Sequence, residues 1–264
     1  MILKHLLRLS SAFGLITALL IFSGCASGPR YNPTTFNAEY DSVQLNPTTT
    51  KTIVLAHVNI SGPSRSYLEK HEERIDALLS QRLKQAGYKV LPQRHFVREW
   101  NTAVRAYGDP FDPTTGRVNM KTFVQIMNTV KDQLVATSQV DAIVFTDLIE
   151  LQMMFNNGMN HEARWDGVSR KPTLQGPGTA IPAGFDWNQL ASVVSLQVVV
   201  FNQGLERVFL GRGGLDATDA IDVRSGTRYE RRRTILENDN YVEEGIGLAL
   251  HPWVDMANWP GQAP

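Results

Sequence analysis

Two short runs in which almost every side chain is apolar constrain the fold most: residues 52–60, Thr-Ile-Val-Leu-Ala-His-Val-Asn-Ile, and residues 140–149, Val-Asp-Ala-Ile-Val-Phe-Thr-Asp-Leu-Ile. A strand with one wet face alternates apolar and polar residues, whereas a strand covered on both faces reads as a nearly continuous apolar run. The second run therefore reads as a strand covered on both faces, and the first, rich in β-branched residues, as the first core strand. Between them, Leu68, His71, Ile75, Leu78, Leu79, Leu83 and Ala86 recur at helical spacing, with Ser64 or Ser66 as candidate cap and Gly87 as a left-handed stop. Residues 88–91 read as a second strand, residues 94–107 as a helix after Pro92, and the turn-rich residues 108–116 precede a further helix over residues 120–136. Beyond the second apolar run, residues 192–201 and 207–210 read as a β-hairpin about Asn202-Gln203-Gly204-Leu205, with another strand around residues 215–221 and a short helix near residues 241–250. The order strand, helix, strand, helix, helix, strand predicts an α/β fold: a single three-layer-like domain with a mixed sheet flanked by helices, plus a C-terminal β-hairpin region.

The amino end follows different rules. Lys4 and Arg8 precede or flank an apolar run over residues 9–22, which ends in Ser23-Gly24-Cys25. A charged start, a short apolar centre and small residues form the layout of a secretory signal, and the run is shorter than the roughly 20 residues of a permanent span. Residues 1–24 are therefore expected to be a signal peptide. Phe22-Ser23-Gly24-Cys25 resembles the lipobox of bacterial lipoproteins, and Cys25 is the single cysteine of the chain. The resemblance implies a diacylglyceryl group on the Cys25 sulfur, cleavage just before it, and fatty acylation such as palmitate. Ala26 and Ser27, with no Asp after the cysteine, imply the outer membrane, periplasmic face, over the inner membrane. Residues 25–51, with Pro29, Pro33 and Pro47 among Thr, Asn and Ser, read as a flexible tether, leaving residues 52–264 as the periplasmic domain.

Loss of residues 1–24 removes Lys4 and Arg8 and leaves 24 basic against 26 acidic side chains, so a nucleic-acid surface is not expected. No nucleophile elbow, S-x-x-K pair, H-E-x-x-H helix or P-loop occurs in the mature chain. His71-Glu72-Glu73 approaches a zinc helix, but Ile75 stands where the second ligand belongs. His57 reads as a core histidine. Gly211-Arg-Gly-Gly-Leu-Asp216 lacks the lysine and following helix of a phosphate loop and reads as a turn or bulge. Asp216, Asp219 and Asp222 lack the spacing of a calcium loop, and Asp76 has no carboxylate partner at a telling distance in sequence. No catalytic residue, cofactor or metal site is expected.

Two features suggest contacts. Arg228, Arg231, Arg232 and Arg233, beside Tyr229, form a basic run that reads as a solvated surface balanced by Glu230 and Glu237, with lipid headgroups or an acidic partner as the alternative. Residues 156–190 read as a long loop holding Trp165 and Trp187 among glycines and prolines, and a connection of that length is commonly functional or disordered. Trp165 and Trp187 are the candidate partner contacts, and Trp253 and Trp259 suit either a core edge or the same surface.

The succession of residues 53–59, 77–91, 140–147 and 196–204 resembles periplasmic lipoproteins of the curli-secretion and penicillin-binding-protein-activator group, and the amino-terminal domain of the Tol translocation protein. The resemblance covers roughly residues 52–221 apart from the long loop, and lies in layout and not in an invariant motif. It implies envelope assembly or regulation through protein contacts without catalysis, with membrane attachment by lipid and either an envelope protein or a second copy as partner. A homo-oligomeric secretion or pore-associated subunit is one alternative. An envelope hydrolase with an unrecognised site is the other.

Overall fold

The computed structural model describes residues 32–56, 66–177, 180–224 and 227–256. The signal peptide, Cys25, His57, Ser64 and Trp259 lie outside the described residues.

A six-stranded sheet organises the domain. Its strands in chain order are β1 (Ala38–Tyr40), β2 (Thr52–Ala56), β3 (Lys89–Leu91), β4 (Ala142–Met154), β8 (Leu190–Asn202) and β9 (Arg207–Ala217), and they lie side by side as β1-β9-β8-β4-β2-β3. β2 runs parallel to β3 and β4; β4, β8, β9 and β1 pair antiparallel. The sheet is mixed, as the order of elements predicts. The helices are α1 (Ser66–Gln85), α2 (Arg94–Tyr107), α3 (Met120–Ser138) and α4 (Asp239–Leu250).

The described parts of both apolar runs form interior strands, β2 and β4, and their alternate residues feed two cores. Ile53, Leu55, Ala142 and Val144 pack with Leu68, Ile75, Leu79 and Leu83 of α1 and Val242, Ile246 and Leu250 of α4. Val54, Ala56 and Ile143 pack with Phe96 of α2 and Ile126, Val130 and Leu134 of α3. Successive strand side chains point to opposite faces, so helices on both faces account for the unbroken apolar pattern. Local chemistry sets the helix ends. Asn119 and Asn238 accept hydrogen bonds from Thr122 N–H and Tyr241 N–H at 3.3 Å, capping α3 and α4. Gly87 takes φ +96° after α1, where Tyr88 N–H reaches Leu83 O at 3.1 Å. Trp253 covers the core edge, its indole N–H donating to Tyr88 Oη at 2.8 Å.

Two regions differ from expectation. The tether does not extend to Lys51: Asn32 N–H donates to Gly167 O at 2.6 Å, Pro33–Thr35 forms a 3₁₀ turn, and β1 pairs with β9. Tyr40, packed on Phe209, supplies apolar contact that the proline and threonine content of this segment conceals. The long loop is also structured. It holds β5 (Ala163–Trp165), β6 (Val168–Arg170) and β7 (Thr173–Gln175), of which β5 and β6 form a hairpin while β7 joins β10 (Asp219–Asp222) and β11 (Tyr229–Arg231) in a three-stranded sheet. Asp166 and Gly167 turn the β5–β6 hairpin with φ of 37° and 86°, the pair of positive values that a two-residue primed turn requires.

Candidate functional site

The glycines once weighed as a phosphate cradle lie within β9, where they admit neighbours at backbone distance. A Cβ added at Gly213 would lie 1.9 Å from Gly245 O, and one at Gly211 2.3 Å from Ala249 O, both in α4. At Gly214 the added atom would meet Val168 Cγ2 of β6 at 2.3 Å. Neighbouring strand residues face opposite ways, so β9 is clamped between α4 and the β5–β6 hairpin. The β8–β9 register shifts between Val194 and Ser195, leaving Leu215 as the extra residue of a bulge.

Trp165, a candidate partner contact by sequence, is instead buried within the domain. It is 3% exposed in a core with Phe155, Val168, Ala191, Val193 and Leu248, and its indole N–H points to Val194 O at 3.4 Å. The hairpin around it is fixed by polar bonds as well: Ser195 Oγ donates to Asp166 Oδ2 at 2.6 Å, and Gly214 N–H to Asp166 O at 3.0 Å. Arg170, at its far end, is buried against Glu244 of α4 with a 2.5 Å ion pair, donates to Leu215 O at 3.2 Å and covers the Tyr241 ring at 3.9 Å. Trp187 remains half-buried. Its ring stacks on His161 at 3.5 Å and meets Phe185 edge-on at 5.0 Å.

The basic run is not merely a solvated strip. Arg232 donates to Asp216 Oδ2 and Ala217 O, each at 2.6 Å. Arg231 reaches Glu150 at 2.8 Å, Asp219 at 3.4 Å and Thr218 Oγ1 at 2.6 Å, while its guanidinium lies 4.4 Å from the Tyr67 ring centre. Asp219 also accepts from Ser192 N–H at 2.8 Å. These contacts join β11, β10, β8, β4 and α1, so Asp216 and Asp219 serve as partners for arginine. Burial would raise the Glu150 carboxyl, but hydrogen bonds from Arg231, Tyr67 and Ser192 outweigh it and hold the group below the ordinary carboxylate range. Burial, reinforced by Glu150, pushes the Tyr67 hydroxyl up to about 12. Arg228 stays exposed, with Glu230 at 3.3 Å.

The other candidates separate in space and role. Asp222 pairs with Arg224 at 3.7 Å, and Asp76 accepts from Thr146 Oγ1 at 2.8 Å across α1 and β4. His71 sits on α1 beside buried Ile75, and burial, with Lys70 and Arg74 nearby, lowers its pKa. Among the described residues no group of three or more His, Cys, Asp or Glu side chains is placed to hold a metal ion. Nor is any helix among them long and apolar enough to cross a membrane.

One surface feature escaped the sequence reading. β4 and β8 pair from Ala142↔Asn202 through Met154↔Leu190, well past the end of β2 at Ala56, so their tip projects beyond the parallel part of the sheet. Met154 and Leu190 face each other there, 43% and 53% exposed, and Met159 is 99% exposed on the adjoining turn. That turn is braced by the Asn157↔Glu162 bridge, a 3.2 Å bond from His161 N–H to Gly158 O, and the His161–Trp187 stack. Apolar residues at a turn were masked in the sequence by the surrounding Asn and Gly.

No family model matches the chain, and no curated protein matches it. Among solved structures, a PelC dodecamer from Paraburkholderia phytofirmans is distantly similar, with 8% identity and a TM-score of 0.33 over 79% of this chain and 91% of that chain. At that score the likeness carries no argument about this protein.

Proposed function

We propose that this chain is a lipid-anchored cell-envelope protein that acts through contacts and not through catalysis, its α/β domain mounted close to the periplasmic face of the outer membrane. The observation that carries the reading is the short distance along the chain between Cys25 and the folded domain. Asn32 is already bonded to Gly167, and Thr35 Oγ1 accepts from Gly167 N–H at 3.1 Å. Six residues separate Cys25 from Asn32, so seven residue-to-residue steps limit their distance to about 25 Å at roughly 3.6 Å per step. A domain so tightly mounted works at the membrane surface. Each buried lipid methylene contributes about 0.8 kcal/mol, so two or three acyl chains hold it there firmly.

Further support comes from how the groups that suggested chemistry are used. The glycines of β9 receive α4 and β6, Asp219 pairs with Arg231, and Asp216 pairs with Arg232. The exposed part of residues 156–190, with Trp187 at its edge, is then the surface available for an envelope partner. Palmitate labelling and fractionation of wild type and Cys25→Ala test the anchor: label and membrane retention must both disappear in the variant. Photocrosslinking in cells from position 187 tests the contact, and a discrete envelope protein among the adducts is the expected result. A wild-type chain that takes up no palmitate, or one that remains membrane-bound without Cys25, would sink the anchoring.

A further inference from the structure

We infer that the paired ends of β4 and β8, through Met154 and Leu190, with Met159 on the turn that follows β4, dip into the headgroup and acyl boundary of the same bilayer that holds the Cys25 lipid. The inference rests on the anchoring proposed above and names what part of that contact surface touches. Exposed apolar side chains gathered in one place mark a contact. Here the two strand residues are cross-strand partners and the third tops the adjoining turn.

The path of the chain indicates the occupant. Traced backward from the domain, Tyr40 lies beside Phe209 and Ala38 beside Gly211; Asn32 then reaches Gly167, whose hairpin holds Gly214 through Asp166. Along β8 those three levels correspond to Val200, Val198 and Ser195. The amino-terminal segment thus climbs the sheet toward Leu190, and from Ser195 the tip is five residues further, about 17 Å at roughly 3.3 Å per residue. The reach of about 25 Å available between Asn32 and Cys25 covers that distance. A bilayer holding the lipid can therefore meet the tip without unfolding any described element.

The chemistry of the tip suits lipid. Methionine is flexible and adapts to a disordered apolar environment. The Trp187 ring, half-buried behind the tip on His161, is of the kind favoured at headgroup depth. Gln189 donates to Thr227 O at 2.7 Å, which brings the exposed Arg228 alongside, where a guanidinium can reach a lipid phosphate. Three shallow side chains would orient the domain and add to the anchor without spanning the membrane.

The test uses the full-length lipidated protein carrying Met159→Cys, Leu190→Cys or, at the opposite end of the sheet, the exposed Val43→Cys. Thioether formation blocks Cys25, so an environment-sensitive fluorophore labels only the new thiol. Each protein is reconstituted into phosphatidylethanolamine and phosphatidylglycerol vesicles with and without nitroxide-labelled lipid, and its intact mass is recorded. The expected result is a blue shift and nitroxide quenching at positions 159 and 190, and neither at position 43. Equal responses at all three positions, in protein whose mass shows the lipid, would overturn the tip contact and leave the anchor standing. A blue shift without nitroxide quenching would mean that protein, for instance a second copy, covers the tip, and also overturns it. Absence of the lipid mass on Cys25 overturns both readings.

Discussion

The contact of β9 with α4 and the lattice around β10 and β11 hold neighbouring parts of the domain by opposite means. At the first, Gly211, Gly213 and Gly245 remove side chains so that strand and helix meet backbone to backbone, and the buried Arg170–Glu244 pair closes the margin. At the second, Arg231, with its side chain 44% exposed, reaches Glu150 and Asp219, while Arg232 meets the buried Asp216. Close contact gains dispersion from many atoms and tolerates no insertion, whereas partly hydrated pairs are individually weak but forgiving. The difference teaches that the amount of charge in a region is a poor guide to its importance. The fully buried Arg170 should matter more than the half-exposed Arg231.

The largest effect should come from Arg170→Ala, which strands Glu244 in the interior and is expected to cost about 3–5 kcal/mol in urea unfolding. Arg170→Met combined with Glu244→Leu should recover most of that loss, because the penalty lies in the unpaired charge. Next comes Gly213→Ala, expected to cost about 1–3 kcal/mol or more, since the added methyl would overlap Gly245 O. Gly184→Ala, with open space around it, is the control and should stay within about 0.5 kcal/mol. A null result at Gly213 would break the comparison.

The lattice should respond mainly to pH. The folded Glu150 pKa is depressed, so its stabilisation is complete above the unfolded glutamate value and is lost as pH falls through the folded one. Urea midpoints between about pH 6 and pH 3 should therefore fall more steeply for wild type than for Glu150→Gln. Identical slopes would mean that Arg231 gains nothing from this carboxylate. The smallest effect is expected from Met159→Ser, within about 0.5 kcal/mol of wild type, because its side chain touches solvent almost throughout. A larger loss would place Met159 in the fold and not on the contact surface.

Much of the central domain was legible from local pattern. The helix expected over residues 94–107 is Arg94–Tyr107, and the one over residues 120–136 runs Met120–Ser138. The described parts of the two apolar runs, β2 and β4, are interior strands of the sheet. The candidate surface was less legible. Asp166-Gly167 carried a usable hairpin signal, but the glycines and prolines that follow it made the whole stretch resemble one loop. Trp165 and Trp187 look alike in sequence, and only the return of the hairpin onto β8 and β9 buried the first and left the second half-open.

By itself, then, the sequence determined what depends on neighbours a few positions away: strand and helix periods, caps, and the stop at Gly87. Only tertiary structure decided which glycines admit a helix, which aspartate meets which arginine, that Asn32 already belongs to the folded domain, and that Met154 faces Leu190 at an exposed strand end. The physical reason is range. Backbone preference and amphipathic period act within one turn or one pleat, but burial and charge pairing depend on segments that approach from far along the chain, as Arg170 meets Glu244 and Arg231 meets Tyr67.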